Sequence, residues 1–291
     1  MKLSIIIVNY NGRHFLDGCL KSIEKHITFP HEIIIVDNNS SDDSVQFINN
    51  KYPNVSLIES KQNLGFAQGN NLGVSRSMGE YILLLNNDTL LLSSITPVLS
   101  IAEKNSKIGL IGIKMIGVNN EYRYSTGHYP NLIRLLKFSL LYRKDGYFQK
   151  GNFPQDENKY YCTDWIEGSW MLTKRKIWDE LGGMDKDYFM YVEDVDLCWR
   201  IKKLKYKIVF YPYASYLHYG GYGESRFHLL IAGFLKFHRK HSSNFYQLLL
   251  KIVLLIGITG RLSMNTLLSL RCKESFKKNL PYIVSIKEVF K

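Results

Sequence analysis

Four runs of continuous apolar, β-branched sequence, each halted by polar residues, fall within the first ninety positions. They are "KLSIIIVNY" (2–10), "HEIIIVDNNS" (31–40), "NVSLIES" (54–60) and "EYILLLNND" (80–88). Runs without polar alternation mark strands buried on both faces, and such strands belong to parallel sheets covered by helices. The segments between them carry helical spacing. "NGRHFLDGCLKSIEKH" sets Phe15, Leu16, Leu20 and Ile23 at that spacing, and "SDDSVQFINNKY" opens with Ser41 or Asp42 as a cap. "NLGFAQGNNLGVSRSMG" (63–79) reads as a Gly-rich turn running into a helix. Strand and helix alternate four times, which predicts a right-handed parallel α/β sheet.

Ligands of such sheets gather at the carboxyl ends of the strands. "NYNG", "DNNS", "NLGFAQGN" and "NND" all fall on that edge. Each alone is explained by an ordinary turn, because Asn and Asp end strands readily. Four on one edge argue for a site. No G-x-G-x-x-G follows the first strand and no G-x-x-x-x-G-K-[ST] occurs, which argues against a dinucleotide-binding dehydrogenase and a P-loop enzyme.

The second half is densest at "LGGMDKDYFMYVEDVDLCWRIKKL", where Asp185, Asp187, Glu193, Asp194 and Asp196 stand among aromatic residues. Its apolar spacing predicts a helix from about residue 193, with Glu193 and Asp194 in the first turn, where the helix dipole favours carboxylates. Capping accounts for one such acid, but three within four residues repel unless a cation or substrate uses one. "GSWMLTKRKIW" before it reads as a strand entering a helix, and "YKIVFYPYASYLHYGG" after it as a strand leading to His218.

Charge is divided unevenly. The chain carries +12, of which residues 1–201 contribute −1 and residues 202–291 contribute +13. Such an excess calls for an anionic partner, and without a nucleic-acid recognition motif the reading is a membrane surface. Phe227, Leu230, Ile231, Phe234 and Leu235 sit at helical spacing among basic residues, as in helices of the membrane interface. The apolar run between Lys251 and Arg261 holds nine residues, too short to span a bilayer. The alternative is that these helices pack on the rest of the protein. Four scattered cysteines and an N-terminal apolar run too short for a signal peptide fit a cytosolic protein with free thiols.

Taken in order, "SIIIVNYNG", "EIIIVDNNSSDDS", "NLGFAQGNNLG", "YILLLNNDT", "GGMDKDYFMYVEDVDLCWR" and His218 resemble the inverting family 2 glycosyltransferases, especially the rhamnosyltransferase-like branch of bacterial surface polysaccharide synthesis. The likeness covers about residues 3–225. It implies the GT-A fold, an α/β, Rossmann-like, mostly parallel sheet with flanking helices. The catalytic domain would be 1–225, with a nucleotide-sugar half (1–115) and an acceptor half (116–225), followed by a basic amphipathic helical tail over 226–291.

The resemblance also assigns residues. Asn9 and Asn11 would lie against the nucleotide, and Asp37 would accept the pyrimidine N3–H. Gly65 would let the backbone approach, and Asn70 would touch nucleotide or sugar. Asn86 stands where many relatives have the first Asp of a D-x-D motif, leaving Asp88 as the metal-binding acid and His218 as a second ligand. The ion would be Mn²⁺ or Mg²⁺, a histidine favouring Mn²⁺, with diphosphate and water filling its remaining positions. Asp194 would be the base that takes the acceptor hydroxyl proton, with Glu193 beside it. Trp165 and Trp170 would wall a sugar, and Arg226 of a "GGYGESR" flap would meet the diphosphate.

The implied donor is a dTDP- or UDP-sugar, dTDP-rhamnose among them. The implied acceptor is a glycan or a polyprenyl-diphosphate-linked hydroxyl at the anionic inner leaflet of the cell membrane. Two other readings compete. A sugar-nucleotide pyrophosphorylase shares the layout but is expected to carry a Gly-rich loop with Arg, which "NYNGRHF" matches poorly. The incomplete D-x-D allows a non-catalytic sugar-nucleotide-binding partner.

Overall fold

The computed structural model of the chain describes residues 2–139, 153, 156, 159–220, 226–272 and 279–290. Its first part alternates as the apolar runs predict: β1 (Leu3–Asn9), α1 (Arg13–His26), β2 (His31–Asp37), α2 (Ser44–Lys51), β3 (Ser56–Glu59), α3 (Gly65–Ser75) and β4 (Tyr81–Asn86). β1 pairs in parallel with both β2 and β4, and β2 with β3, so these strands run in the order 3-2-1-4. Ile5, Ile6, Ile7, Ile34, Ile35, Leu83 and Leu84 are fully buried, as strands covered on both faces require. The N-cap of α2 is Asp43, one residue beyond the expected Ser41 or Asp42, and makes no side-chain cap bond; Asp42 instead accepts the Ser44 N–H at 3.2 Å from the turn before the helix.

The chain continues through β5 (Thr89–Leu91), α4 (Thr96–Lys104), β6 (Ile108–Ile116), β7 (Tyr122–Arg123), β8 (Thr126–Gly127), α5 (Leu132–Ser139), β9 (Tyr161–Cys162), β10 (Trp165–Ile166), β11 (Trp170–Lys174), α6 (Arg175–Leu181), α7 (Glu193–Lys203) and β12 (Lys207–His218). β11 inserts antiparallel between β4 and β6, while β12 runs parallel to β6 and antiparallel to β5. The sheet is therefore parallel on the β1 side and mixed beyond β4.

Among the described residues, β12 is followed by three helices: α8 (Phe227–His241), α9 (Asn244–Cys272) and α10 (Leu280–Val289). Contacts divide the protein into two compact units. The first holds Met1–Gly127, Tyr147–Phe189 and Glu193–Gly220; the second holds His128–Gly146, Met190–Val192 and Gly221–Lys291. The second unit has a core of its own, with Leu135 of α5, Phe227, Ile231 and Leu235 of α8, Leu250, Leu254 and Ile258 of α9, and Tyr282 and Val289 of α10.

One expectation changes here. α9 passes unbroken through Lys251 and Arg261, and its span Asn244–Leu267 is long and apolar enough to cross a membrane by length and composition. Arg261 is buried against the Phe227 ring, 5.0 Å from its centroid, and Lys251 is half-buried, so neither charge ends the helix. Cys19, Cys162 and Cys198 are free thiols.

Candidate active site

The carboxyl ends of β1, β2 and β4 are laced together by amides. Asn87 donates to the Asn9 side-chain oxygen at 2.7 Å, and Asn9 donates to Asp37 at 2.9 Å and to Ser40 Oγ at 3.2 Å. Asn9 is fully buried with both amide hydrogens engaged, so it orders Asp37 and does not present a free group. Asp37 also accepts the Ser40 N–H at 2.9 Å. Asn11, in the left-handed region at φ 50°, accepts the Ser41 N–H at 2.7 Å and ties the β1–α1 loop to the β2–α2 loop. Gly12 is forced by this lacing, since a Cβ there would lie 2.7 Å from Asn9 Oδ1 and overlap the Asn87 amide. Asn70 is buried in α3 and donates to the Phe66 carbonyl one turn back, at 2.9 Å. Gly65, at φ 74°, begins α3 where a side chain would collide with the Phe189 carbonyl; that carbonyl accepts the Phe66 N–H at 2.8 Å.

Strand pairing joins Asp88 to His218. Thr89 opens β5 directly opposite His218, the last residue of β12, so the preceding Asp88 meets that histidine. Asp88 Oδ1 lies 3.2 Å from His218 Nε2, and the Asp88 carbonyl accepts the Tyr219 N–H at 3.0 Å. Burial alone would lower the His218 pKa, but the hydrogen bond to Asp88 and the negative charge of Glu167 outweigh it and hold it above the ordinary value. Arg123 fixes the strand end by donating to the His218 carbonyl at 3.2 Å and the Gly220 carbonyl at 2.5 Å. A Cβ at Gly220 would sit 2.5 Å from Asp88 Oδ2 and 3.2 Å from His218 Nε2, so glycine keeps the space before the pair open. This donor set fits a small hard cation: one carboxylate and one imidazole nitrogen at adjacent-ligand spacing, facing a cradle that any side chain would fill. Among the described residues no cluster of three or more His, Cys, Asp or Glu forms a metal cage. Asn86 contributes backbone rather than charge, its N–H donating to the Ser169 carbonyl at 3.0 Å and its carbonyl accepting the Thr89 hydroxyl at 2.7 Å.

The acidic cluster separates into three roles. Asp196 is fully buried and paired with Arg200 at 2.7 Å, one turn along α7, while Arg200 also donates to the Gly183 carbonyl at 2.9 Å. That acid is structural. Asp194 accepts the Gly168 N–H at 3.1 Å and the Val195 N–H at 2.8 Å. Burial, and next the charge of Glu167, raise its pKa to about 7, against the lowering by these backbone donors. Glu193 is buried with Oε2 lacking a partner, and burial together with Asp194 pushes its pKa well above the carboxylate range. Desolvation thus overrides the helix dipole at both.

The short segment Glu167–Ser169 links these parts. Gly168 N–H holds Asp194, the Ser169 carbonyl holds Asn86, and the Glu167 carboxylate accepts from the Ser169 and Tyr216 hydroxyls, Tyr216 standing two residues before His218. Sequence reasoning missed Glu167, Arg123 and Asn87. A signal for Glu167 was present: an acid one residue before a glycine at the mouth of an apolar strand.

Trp170 corrects an expectation. It is fully buried in the main core on β11, because that strand is flanked on both edges and covered on both faces, so it walls no sugar. Trp165 is half-buried on the β10–β8 ribbon, packed on Gly127. Arg226 is exposed at the start of α8 in the second unit, and residues 221–225 of the expected flap lie outside the described residues.

Comparison with known proteins adds a frame to this geometry. The family model described as "Glycosyl transferase family 2" matches residues 4–168. An N-acetylglucosaminyl-diphospho-decaprenol L-rhamnosyltransferase of Mycobacterium tuberculosis is 28% identical over 244 residues, covering 77% of this chain and 78% of that one. Among solved structures, TarS 1–349 of S. aureus in complex with UDP superposes with a TM-score of 0.57 at 14% identity, over 99% of this chain and 80% of that one. The mannosyltransferase PcManGT from Pyrobaculum calidifontis, in complex with GDP-Man and Mn²⁺, gives 0.59 at 14% identity, over 99% and 87%. The fold they share is GT-A.

Proposed function

The chain belongs to glycosyl transferase family 2, and on that premise we propose that it is a metal-dependent inverting rhamnosyltransferase. The donor in this reading is a pyrimidine nucleoside diphosphate sugar, dTDP-rhamnose or a UDP-sugar, and the acceptor a hydroxyl on a polyprenyl-diphosphate-linked glycan. The observation that carries it is the junction at Glu167–Ser169, which ties a carboxylate of pKa about 7 to the loop bearing Asp88 and the strand bearing His218. A pyrophosphorylase needs no such base.

In the mechanism, Asp37 accepts the base N3–H, held in orientation by Asn9 and Ser40. Asp88 and His218 would hold Mn²⁺ or Mg²⁺, which supplies positive charge to the departing diphosphate. Asp194 takes the proton of the acceptor hydroxyl as that oxygen attacks the anomeric carbon from the face opposite the nucleotide. Gly168 N–H and Val195 N–H fix its two oxygens, leaving the remaining lone pairs for the incoming proton. A pKa near neutrality suits this work, since the base is ionised at physiological pH yet accepts a proton readily.

Glu167 tunes that base. Its negative charge raises the Asp194 pKa, so E167Q is expected to move the acid limb of the kcat–pH profile to lower pH, with activity retained above neutrality. An unmoved limb would show that Glu167 does not act on the base. The reading as a whole is tested with a panel of nucleotide sugars with Mn²⁺, Mg²⁺ or chelator. The assay follows nucleoside diphosphate release with and without an N-acetylglucosaminyl-diphospho-polyprenol acceptor. Acceptor-dependent release from dTDP-rhamnose or a UDP-sugar supports it, and release of a nucleoside monophosphate would point elsewhere.

The second unit supplies the membrane contact in this reading, with the enzyme on the cytoplasmic face. Phe245, Leu248, Ile252, Ile256 and Leu267 recur at helical spacing along α9 and are 71, 57, 46, 53 and 65% exposed. This apolar face backs onto the unit's own core, as an interfacial helix requires, in a region with +13 of net charge over residues 202–291. A L248D/I256D chain is expected to lose about tenfold or more of its partitioning onto anionic vesicles, each apolar side chain being worth about 1.5–3 kcal/mol when buried. Undiminished binding would dismiss this face, and binding that resists high salt and alkaline wash would indicate a span instead.

A further inference from the structure

Residues 182–189 of the first unit follow α6, and α3 holds them from one side. The Asn71 amide engages both main-chain groups of Met184, a residue 113 positions away: its Oδ1 accepts the Met184 N–H at 2.9 Å, and its Nδ2 donates to the Met184 carbonyl at 2.8 Å. Gln68, three residues earlier and so a neighbour on the α3 surface, donates to the Lys186 carbonyl at 3.2 Å. In the first turn of α3, the Phe66 N–H donates to the Phe189 carbonyl at 2.8 Å. Gly183 lies at φ 78°, and a Cβ there would stand 2.5 Å from Asn71 Oδ1, so glycine lets the loop approach this closely.

α7, in the same unit, holds the loop from the other side. Arg200 donates to the Leu181 carbonyl at 3.3 Å and the Gly183 carbonyl at 2.9 Å while paired with Asp196. The buried Tyr188 hydroxyl donates to Asp196 at 3.4 Å. α3 is itself tied to the nucleotide edge, because Asn38 donates to the Gly65 carbonyl at 2.9 Å and accepts the Leu64 N–H at 3.3 Å. Polar bonds therefore run from the residue after Asp37, through α3 and the loop, to the helix that carries Asp194.

We propose that Asn71 is a positioning residue for catalysis: by fastening residues 182–189 to α3, it sets the place of Asp194 relative to the nucleotide edge. The proposal rests on Asp194 being the base. Without the Asn71 amide, the Met184 N–H and carbonyl turn to water and the loop no longer spaces α7 from α3. A displacement of about 1 Å at a reacting group costs up to about 10²-fold in rate. The β1 and β2 residues that hold the nucleotide in this reading keep their own bonds, so the loss falls on turnover.

The test compares full-length wild type, N71A, N71D, G183A, N71A/G183A and D194N by kcat, nucleoside diphosphate affinity and thermal melting, with rates taken well below the melting temperature. N71A is expected to lower kcat by about 10- to 100-fold, with nucleoside diphosphate affinity essentially unchanged. G183A drives a methyl into Asn71 Oδ1 and is expected to cause the same kind of loss. In N71A/G183A that oxygen is gone, so the combined loss should stay close to the larger single loss and not reach the product of the two. Wild-type kcat in a folded N71A, however far its melting temperature falls, makes Asn71 structural only and overturns the proposal. Multiplying losses in the double variant, or an equal loss of nucleoside diphosphate affinity, would overturn it too. Should N71A fail to fold, N71D decides, because it keeps the size and the acceptor but gives up the donor to Met184. A several-fold fall in kcat at constant nucleoside diphosphate affinity supports the fastening, and wild-type kcat refutes it. A D194N chain with wild-type turnover would sink the base assignment itself, a failure separate from an unresponsive N71A.

Discussion

Replacing Asp194 by Asn is expected to lower kcat by about 10²–10⁴-fold, the range general-base catalysis contributes, if Asp194 is the base proposed above. Nucleoside diphosphate affinity is expected to survive, because in the proposed mechanism Asp194 serves the acceptor hydroxyl while the nucleotide is held by residues of β1 and β2. The side chain stays the same size, and one oxygen still accepts from Gly168 or Val195. The wild-type kcat is expected to fall as pH drops through about 7, where the base takes up its proton. The same residue makes a second, independent prediction. Its folded pKa lies above the unfolded value of about 3.9, so its contribution to stability is fully present below that value and is lost as pH rises through about 7. At pH 8 a charged, buried carboxylate opposes folding, and D194N should then melt several degrees higher, gaining on the order of 2 kcal/mol. A variant that is both inactive and more stable marks a group retained for chemistry. One that is inactive and less stable would make Asp194 a structural residue.

Asp88→Asn carries the next largest effect. It keeps the shape and removes the carboxylate proposed as a metal ligand, and about 10²–10³-fold of kcat/KM is expected to go with it, several kcal/mol of charge stabilisation at the leaving diphosphate. Unlike D194N, this loss should appear in donor binding measured with metal and vanish when both chains are compared under chelator. Initial rates across a Mn²⁺ titration make the comparison. Activity within threefold of wild type at every metal concentration would remove Asp88 from the metal site. The 3.2 Å contact between Asp88 and His218 gives a further expectation. Burial, no longer offset by the aspartate, should lower the His218 pKa in D88N, observable by imidazole NMR titration.

The first four strands were legible because nothing competes with their pattern. Ile5–Ile7, Ile33–Ile35 and Leu83–Leu85 are uninterrupted, and the polar residues after them had nowhere else to go but the carboxyl edge. The pair Glu193–Asp194 was legible for a different reason, since α7's apolar spacing put both acids in its first turn. Asp196 could have been set aside from sequence, because Arg200 follows it by four residues on the same helix. Other features depend on non-local partners. Trp170 reads as either a sugar platform or core, and only its place between β4 and β6 decides. Asn9 and Asn70 read as ligand contacts from sequence, and only the fold shows that both Asn9 amide hydrogens go to Asp37 and Ser40 and that Asn70 donates one of its own to the Phe66 carbonyl. Glu167 has significance only once β10, α7 and β12 converge on it. The extent of α9 was hidden by Lys251 and Arg261, because a sequence window cannot show that one of those charges is buried within a helical unit.

The central claim, a single displacement at the anomeric carbon promoted by Asp194, is tested most directly by the configuration of the product. Transfer from a nucleotide sugar of defined anomeric configuration to the lipid-linked acceptor is run to completion, and the new linkage is assigned by NMR from its anomeric carbon–proton coupling. The product is expected to carry the anomer opposite to that of the donor. Retained configuration would contradict it, since one base and one attacking hydroxyl cannot deliver that outcome.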